Sequence, residues 1–223
     1  MWRTVGPRVV HLSPLERVRL RRIAVRYALR GWAVTPGACL ARSRFVCGRA
    51  GCPTVGCHPA LPEWELAAST DPARVATWWR SRPYALLLPT GRAFDVLEVP
   101  AYLGRAARAA VDAVPVARGP VAVTPTGQWM FLVSPGEPLR PELERCFHVI
   151  RHGLGSWIPA PPTRLPEGPV RWALAPEQAR WRLPDAYLAQ TVLVELLRAS
   201  GLTTPAPAVG ALPGRLPLPR RGH

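Results

Sequence analysis

The chain has 223 residues and a formal net charge of +15, carried by 29 basic residues that are all arginine, for the sequence contains neither Lys nor Asn. That length suits one domain with a real core, or one domain and a tail, and no apolar run is long enough to span a bilayer. The missing lysine excludes a Walker A loop and any Schiff-base or nucleophilic lysine, and neither a GxSxG elbow nor a GxGxxG fingerprint occurs.

Met1 to His11 lacks the apolar stretch of a signal peptide, so a cytoplasmic protein is expected. Ser13-Pro14 is a helix start, with Ser as N-cap and Pro at the first helical position. The helix should reach about Arg30 and stop at Gly31, with Val18, Val25, Ala28 and Leu29 as its apolar side and Arg22, Arg26 and Arg30 as a basic, solvated stripe. A short strand over residues 31–36 follows, then a Cys/His/Pro/Gly-rich insertion without periodicity over residues 39–62. Asp71-Pro72 opens a second helix that ends near Trp78-Trp79. Tyr84 to Pro89 and Phe94 to Val99 read as strands joined at Thr90-Gly91, and Ala106 to Val114 as a helix. Val121 to Thr124 and Trp129 to Val133 form a hairpin, and Pro141 to His148 a short helix that places Cys146 in a core. Two strands, over residues 156–160 and 170–174, precede the clearest helix, Asp185 to Ser200, ended by Gly201. The Pro/Arg-rich tail over residues 202–223 reads as disordered. Interleaved helices and strands over residues 13–200 point to an α/β or α+β domain.

Cys47-x4-Cys52-x4-Cys57-His58 is the strongest chemical signal. Four soft or borderline ligands fall within twelve residues, with Gly48, Gly51, Pro53 and Gly56 supplying turns. A closed set of four implies a structural zinc ion; Cys39 is an alternative ligand in place of Cys57 or His58. A loop of free thiols is the other reading. Most of the nine Trp are expected in the core rather than on a stacking surface.

Several segments together resemble one family. Tyr27-Ala28, Gly31-Trp32, Val34 and Pro36 resemble the opening of bifunctional DNA primase/polymerase domains, in which a Cys-rich stem ending in His-Pro often follows; Cys57-His58-Pro59 holds that place here. Thr70-Asp71-Pro72 with Trp78-Trp79, Thr90-Gly91 with Phe94-Asp95-Val96-Leu97-Glu98-Val99-Pro100, Thr124-Pro125-Thr126-Gly127, and Ala160-Pro161-Pro162 with Gly168 to Trp172 continue the match in order. The resemblance covers roughly residues 20–175. It implies an RRM-like mixed sheet with flanking helices, of the archaeo-eukaryotic primase type, carrying the Cys-rich insertion as a zinc stem.

The resemblance also implies a chemistry whose residues are largely missing. Polymerases of this kind use two divalent ions, which need hard oxygen ligands on one surface. The family's acidic pair falls on Glu98 and Pro100, which share one strand face while Asp95 points to the other. Its hairpin His falls near Trp129-Met130, and its third acid near Ile150 to Leu154, where no carboxylate stands. The expectation is a non-catalytic primase/polymerase-like protein, a pseudoenzyme that keeps nucleic-acid or nucleotide binding through Arg151 and His152. Two alternatives stay open: an active nucleotidyltransferase that uses Glu98 with Mg²⁺ or Mn²⁺, and a protein-interaction module without nucleotide function. The charge is either a footprint for nucleic acid or a product of a very GC-rich coding sequence. His148 and His152, four apart, could share a helix face, but with no third ligand nearby in sequence they are read as ordinary polar residues.

Overall fold

The structure, a computed structural model, describes residues 13–201; the lead-in over residues 1–12 and the tail over residues 202–223 lie outside the described residues. Helix α1 (Pro14–Leu29) starts in a capping box. The Ser13 hydroxyl accepts from the Glu16 amide at 3.2 Å while the Glu16 carboxylate accepts from the Ser13 amide at 2.8 Å. Its buried face is Leu20, Ala24, Tyr27 and Ala28. Val18 and Leu29, counted into that face from sequence, stand exposed. Tyr27 carries the contact instead, because its ring is buried and its hydroxyl donates to the Pro161 carbonyl at 3.0 Å.

Strand β1 (Thr35–Gly37) is followed by the hairpin of β2 (Cys39–Ala41) and β3 (Arg44–Val46). The insertion is therefore aperiodic only beyond Val46; Leu40 faces Phe45 across the hairpin and gives its first part a strand pairing. A single turn, α2 (Trp64–Ala67), precedes α3 (Pro72–Ser81), whose N-cap Asp71 accepts from the Ala73 amide at 2.9 Å. Strand β4 (Ala85–Pro89) is buried along four of its five residues.

The chain then lays down β5 (Asp95–Val99), α4 (Ala101–Ala113), β6 (Val121–Val123), β7 (Trp129–Val133), α5 (Pro141–Glu144) and β8 (Ile150–His152). Helix α4 begins five residues earlier than expected, directly after Pro100, which sits in extended backbone at its N-cap. Helix α5 is a single turn, so Cys146 and His148 lie beyond it and His152 lies on a strand; the two histidines share no helix face. The backbone around residue 151 is taken by the ladder to β5, with Leu97 opposite Arg151. Strands β9 (Trp157–Pro159), β10 (Arg164–Leu165), β11 (Gly168–Pro169) and β12 (Arg171–Leu174) precede α6 (Ala186–Ala199).

Five strands form one sheet in the order β12-β6-β7-β5-β8, and β1-β4-β9 form a second. Within the first, β5-α4-β6-β7-α5-β8 is a βαββαβ unit whose first and second strands flank the third, the split-βαβ arrangement of RRM-like folds. The expected mixed sheet differs in one respect: every strand pairing among the described residues is antiparallel. One face of the five-stranded sheet, with Leu97, Val99, Phe131 and Val133, packs on α4 and α6. The other, with Val96, Ala122, Met130 and Leu132, packs on α1, α3 and Leu86 and Leu88 of β4. Each such fully buried leucine contributes about 1.5–3 kcal/mol of transfer free energy. Among the described residues no helix is long and apolar enough to cross a membrane.

Candidate functional site

Two chain crossings stitch the sheets together and build the site between them. Strand β4 of the small sheet passes through Thr90-Gly91-Arg92-Ala93 into β5 of the large one. Beside it, β8 of the large sheet passes through Gly153 to Ser156 into β9 of the small one. The crossings are clamped: the Thr90 hydroxyl donates to the Gly153 carbonyl at 2.6 Å, and the Thr90 amide to the Ser156 carbonyl at 3.0 Å. Gly91 has φ +89°, and a Cβ there would run into the Leu154 backbone, so glycine is required on both counts.

Strand period two then sends the two acids of β5 to opposite faces. Asp95 is 1% exposed on the helix-covered face, and its Oδ2 accepts from Arg151 Nη2 at 2.7 Å, Arg151 Nε at 3.1 Å and the Gly136 amide at 3.0 Å. Glu98 is on the other face, and its Oε2 lies 2.8 Å from His152 Nε2. A carboxylate accepts, so Nε2 carries the proton and Nδ1, 3.0 Å from Ser156 Oγ, accepts from that hydroxyl. Glu98 and His152 keep about a fifth of their side chains exposed, at 21% and 19%. Ser156 also lines a cavity of about 400 Å³ with Thr70, Thr90 and Arg92. Arg92 is exposed and makes no hydrogen bond or ion pair among the described residues.

Arg151 and His152, grouped from sequence as nucleotide contacts, thus part company: His152 joins Glu98 and Arg151 becomes the counter-ion of Asp95. Met130, at the expected position of the hairpin His, is buried beside Glu98 in the register. Pro100 begins a helix and offers no ligand.

The sequence profile of the family described as bifunctional DNA primase/polymerase, N-terminal, matches residues 24–186. The chain belongs to that family. No curated protein matches the sequence. The matched segment of this primase/polymerase domain takes in the Cys-rich insertion, both sheets and both clamped crossings.

In the insertion, Cys47, Cys52 and His58 bring their ligand atoms within 4.8 Å of one another. Cys52 Sγ lies 3.5 Å from His58 Nε2, and His58 Nδ1 lies 2.7 Å from the Gly56 carbonyl. A carbonyl only accepts, so Nδ1 carries the proton and the Nε2 lone pair faces the cysteines. Arg49 reaches both sulfurs, at 3.4 Å to Cys47 and 3.8 Å to Cys52. Burial works against a Cys47 thiolate, but hydrogen bonding, chiefly from the Arg49 guanidinium, outweighs it and brings the thiol down to about 6. Cys57 and Cys39 stand outside this group. Burial pushes the Cys57 thiol up to about 12, and burial, partly offset by Arg82, pushes Cys39 up to about 11.

Sequence reasoning missed Arg92 and Ser156. The Thr90-Gly91 turn was visible, but its neighbour across space, the Gly153 to Ser156 crossing, follows only from the pairing of β9 with β4.

Proposed function

We propose that this domain binds nucleic acid or nucleotide on a primase/polymerase scaffold without polymerising. The observation that carries the reading is the Glu98–His152 pair. On that sheet face β5 presents one carboxylate, already hydrogen-bonded at 2.8 Å, where two-metal phosphoryl transfer needs several free hard ligands converging. Asp95 cannot turn to help, because it is buried on the far face in its ion pair with Arg151. The residues of this site do not fit a two-ion centre.

What the same cleft suits is an anion. Arg92, Thr70 and Ser156, whose hydroxyl bonds His152 behind it, border one cavity with Glu65, and Arg92 is a cation without a partner among the described residues. In this reading Arg92 replaces Arg151 as the phosphate contact, while His152 keeps its place through Ser156. Primer extension and de novo priming with labelled nucleotides, in Mg²⁺ and in Mn²⁺, test it beside Glu98→Ala. No incorporation, with a nucleotide-induced rise in melting temperature that Arg92→Ala removes, is the expected result. Incorporation that the Glu98→Ala variant loses would overturn the non-catalytic reading and make the domain an enzyme with a rebuilt metal site.

We further propose that Cys47, Cys52 and His58 hold a structural zinc ion. The donor set fits: two sulfurs, an imidazole nitrogen whose tautomer is fixed by Gly56, and an arginine that favours thiolate. Bound there, zinc would supply a cross-link for a segment with few apolar side chains of its own. Cys57 and Cys39 are the fourth-ligand candidates that the sequence supplies. Elemental analysis of purified protein should find about one zinc per chain.

A further inference from the structure

A second surface, away from the clamped crossings, has its own chemistry. Between α1 and the β10–β12 region runs a groove of about 460 Å³. Arg19 borders it from the helix, and Arg164 and Arg171 border it from β10 and β12. All three are exposed and, among the described residues, make no ion pair or hydrogen bond. The groove also holds Arg26 and Glu177, which neutralise each other at 2.9 Å, and Glu16, which is engaged by Ser13 at the helix start. Four arginines against two glutamates leave the groove net positive; Glu16, which also feels the charge of Arg164, is its one carboxylate outside an ion pair.

Its walls are flat and apolar between those charges. Trp172 and Tyr84 are partly exposed there, with Pro162 and Pro169 beside them. Trp172 is held in place, since its indole N–H donates to the Tyr27 hydroxyl at 3.0 Å. A fixed aromatic ring among unpaired arginines is the combination that takes the stacked bases and phosphates of a single strand. A duplex shows its bases only edge-on and offers such rings nothing to stack on.

The groove is not an extension of the Glu98 cleft. Trp172, Ala122, Met130 and Glu98 lie in one cross-strand row, but Ala122 and Met130 between them are buried under the core. Three strand spacings, about 14 Å, separate the ends of that row.

We propose that this groove binds single-stranded nucleic acid, with Arg19, Arg164 and Arg171 on its phosphates and Trp172 and Tyr84 against its bases. The proposal rests on the reading that the domain binds nucleic acid at all. The test is fluorescence anisotropy with a labelled oligo-dT across a salt series. It compares the full chain with the Arg19→Ala/Arg164→Ala/Arg171→Ala triple variant and with a control triple, Arg80→Ala/Arg105→Ala/Arg145→Ala, which removes equal charge from exposed positions elsewhere. The groove variant should bind about tenfold or more weakly, and its log–log salt slope should flatten by about 2. The control should stay within about twofold. Equal losses in both triples would overturn the groove in favour of diffuse attraction by net charge. Displacement of the oligonucleotide by poly-glutamate at matched charge would overturn it in favour of an acidic peptide. An unmodified chain that ignores oligo-dT but is stabilised by nucleotide sinks the groove and leaves the cleft reading standing. One that responds to neither sinks both.

Discussion

Asp95 and Glu98 stand three residues apart on one strand, each hydrogen-bonded to a neighbour on β8, yet their surroundings differ completely. Asp95 is sealed between sheet and helices and holds a guanidinium and a backbone amide, so its carboxylate is part of the packing. Glu98 faces the seam between the two sheets, keeps a fifth of its surface in contact with solvent, and leads through His152 and Ser156 to a cavity. Net charge and residue type do not separate the two acids. Burial and the identity of the partner do, and they set one in the packing and the other beside the candidate site.

The largest effect should come from breaking the sealed pair. Asp95→Ala leaves the Arg151 guanidinium without its carboxylate, and because Arg151 keeps 28% of its side chain exposed the cost should be about 2–3 kcal/mol, below that of a fully buried pair. Urea denaturation should show that loss. Adding Arg151→Met to the same chain should recover a large part of it, because two apolar groups carry no desolvation penalty. A cost under about 1 kcal/mol for Asp95→Ala would mean that the pair is no more than a surface contact.

The insertion offers the next contrast, a region held by ligands rather than by a core. Its apolar support is small, chiefly Phe45, Ala60, Ala85 and Leu87, so the cluster of Cys47, Cys52 and His58 should matter to it. Chelation should lower the melting temperature by roughly 4–8 °C, corresponding to about 2 kcal/mol, and should open residues 47–58 to proteolysis. His58→Ala should do the same and make the chelator redundant. Purified chain without zinc that melts at the same temperature with and without chelator would sink the zinc proposal.

How much of this the sequence showed depended on whether the signal was local. The N-cap Ser13, the helix starts at Asp71-Pro72 and Asp185 and the strand pair around Thr90-Gly91 are read from adjacent residues, and all stand where expected. The opposite facing of Asp95 and Glu98 also follows from strand period alone. Partners were not legible. That Arg151 belongs to Asp95 and His152 to Glu98 depends on the register of β8 against β5, which sets Leu97 opposite Arg151 and Val96 opposite His152. A one-residue slip would exchange the two assignments. The buried face of α1 was misread for a related reason: Tyr27 earns its place through Pro161, 134 residues away. Of the cysteine cluster, the ligand types were plain but the set was not, since which thiols converge depends on how the loop closes after β3.

The smallest effect on stability should come from the acid beside the proposed cleft. Glu98→Gln keeps an oxygen that can still accept from His152 Nε2, and the pair is partly exposed, so unfolding free energy should change by about 0.5 kcal/mol or less. Its effect on nucleotide affinity then has a diagnostic sign. If the cleft binds phosphate through Arg92 without divalent ions, the Glu98 carboxylate only repels the ligand, and removing its charge should tighten binding about two- to fivefold, more so at low salt. If Glu98 holds a metal that bridges to the phosphates, the same substitution should weaken binding, and only when Mn²⁺ or Mg²⁺ is present. Calorimetric titration of nucleotide into both chains, with and without Mn²⁺, reads that sign directly. Because Glu98→Gln leaves the fold intact, a change in either direction reports on the chemistry of the cleft and not on its packing.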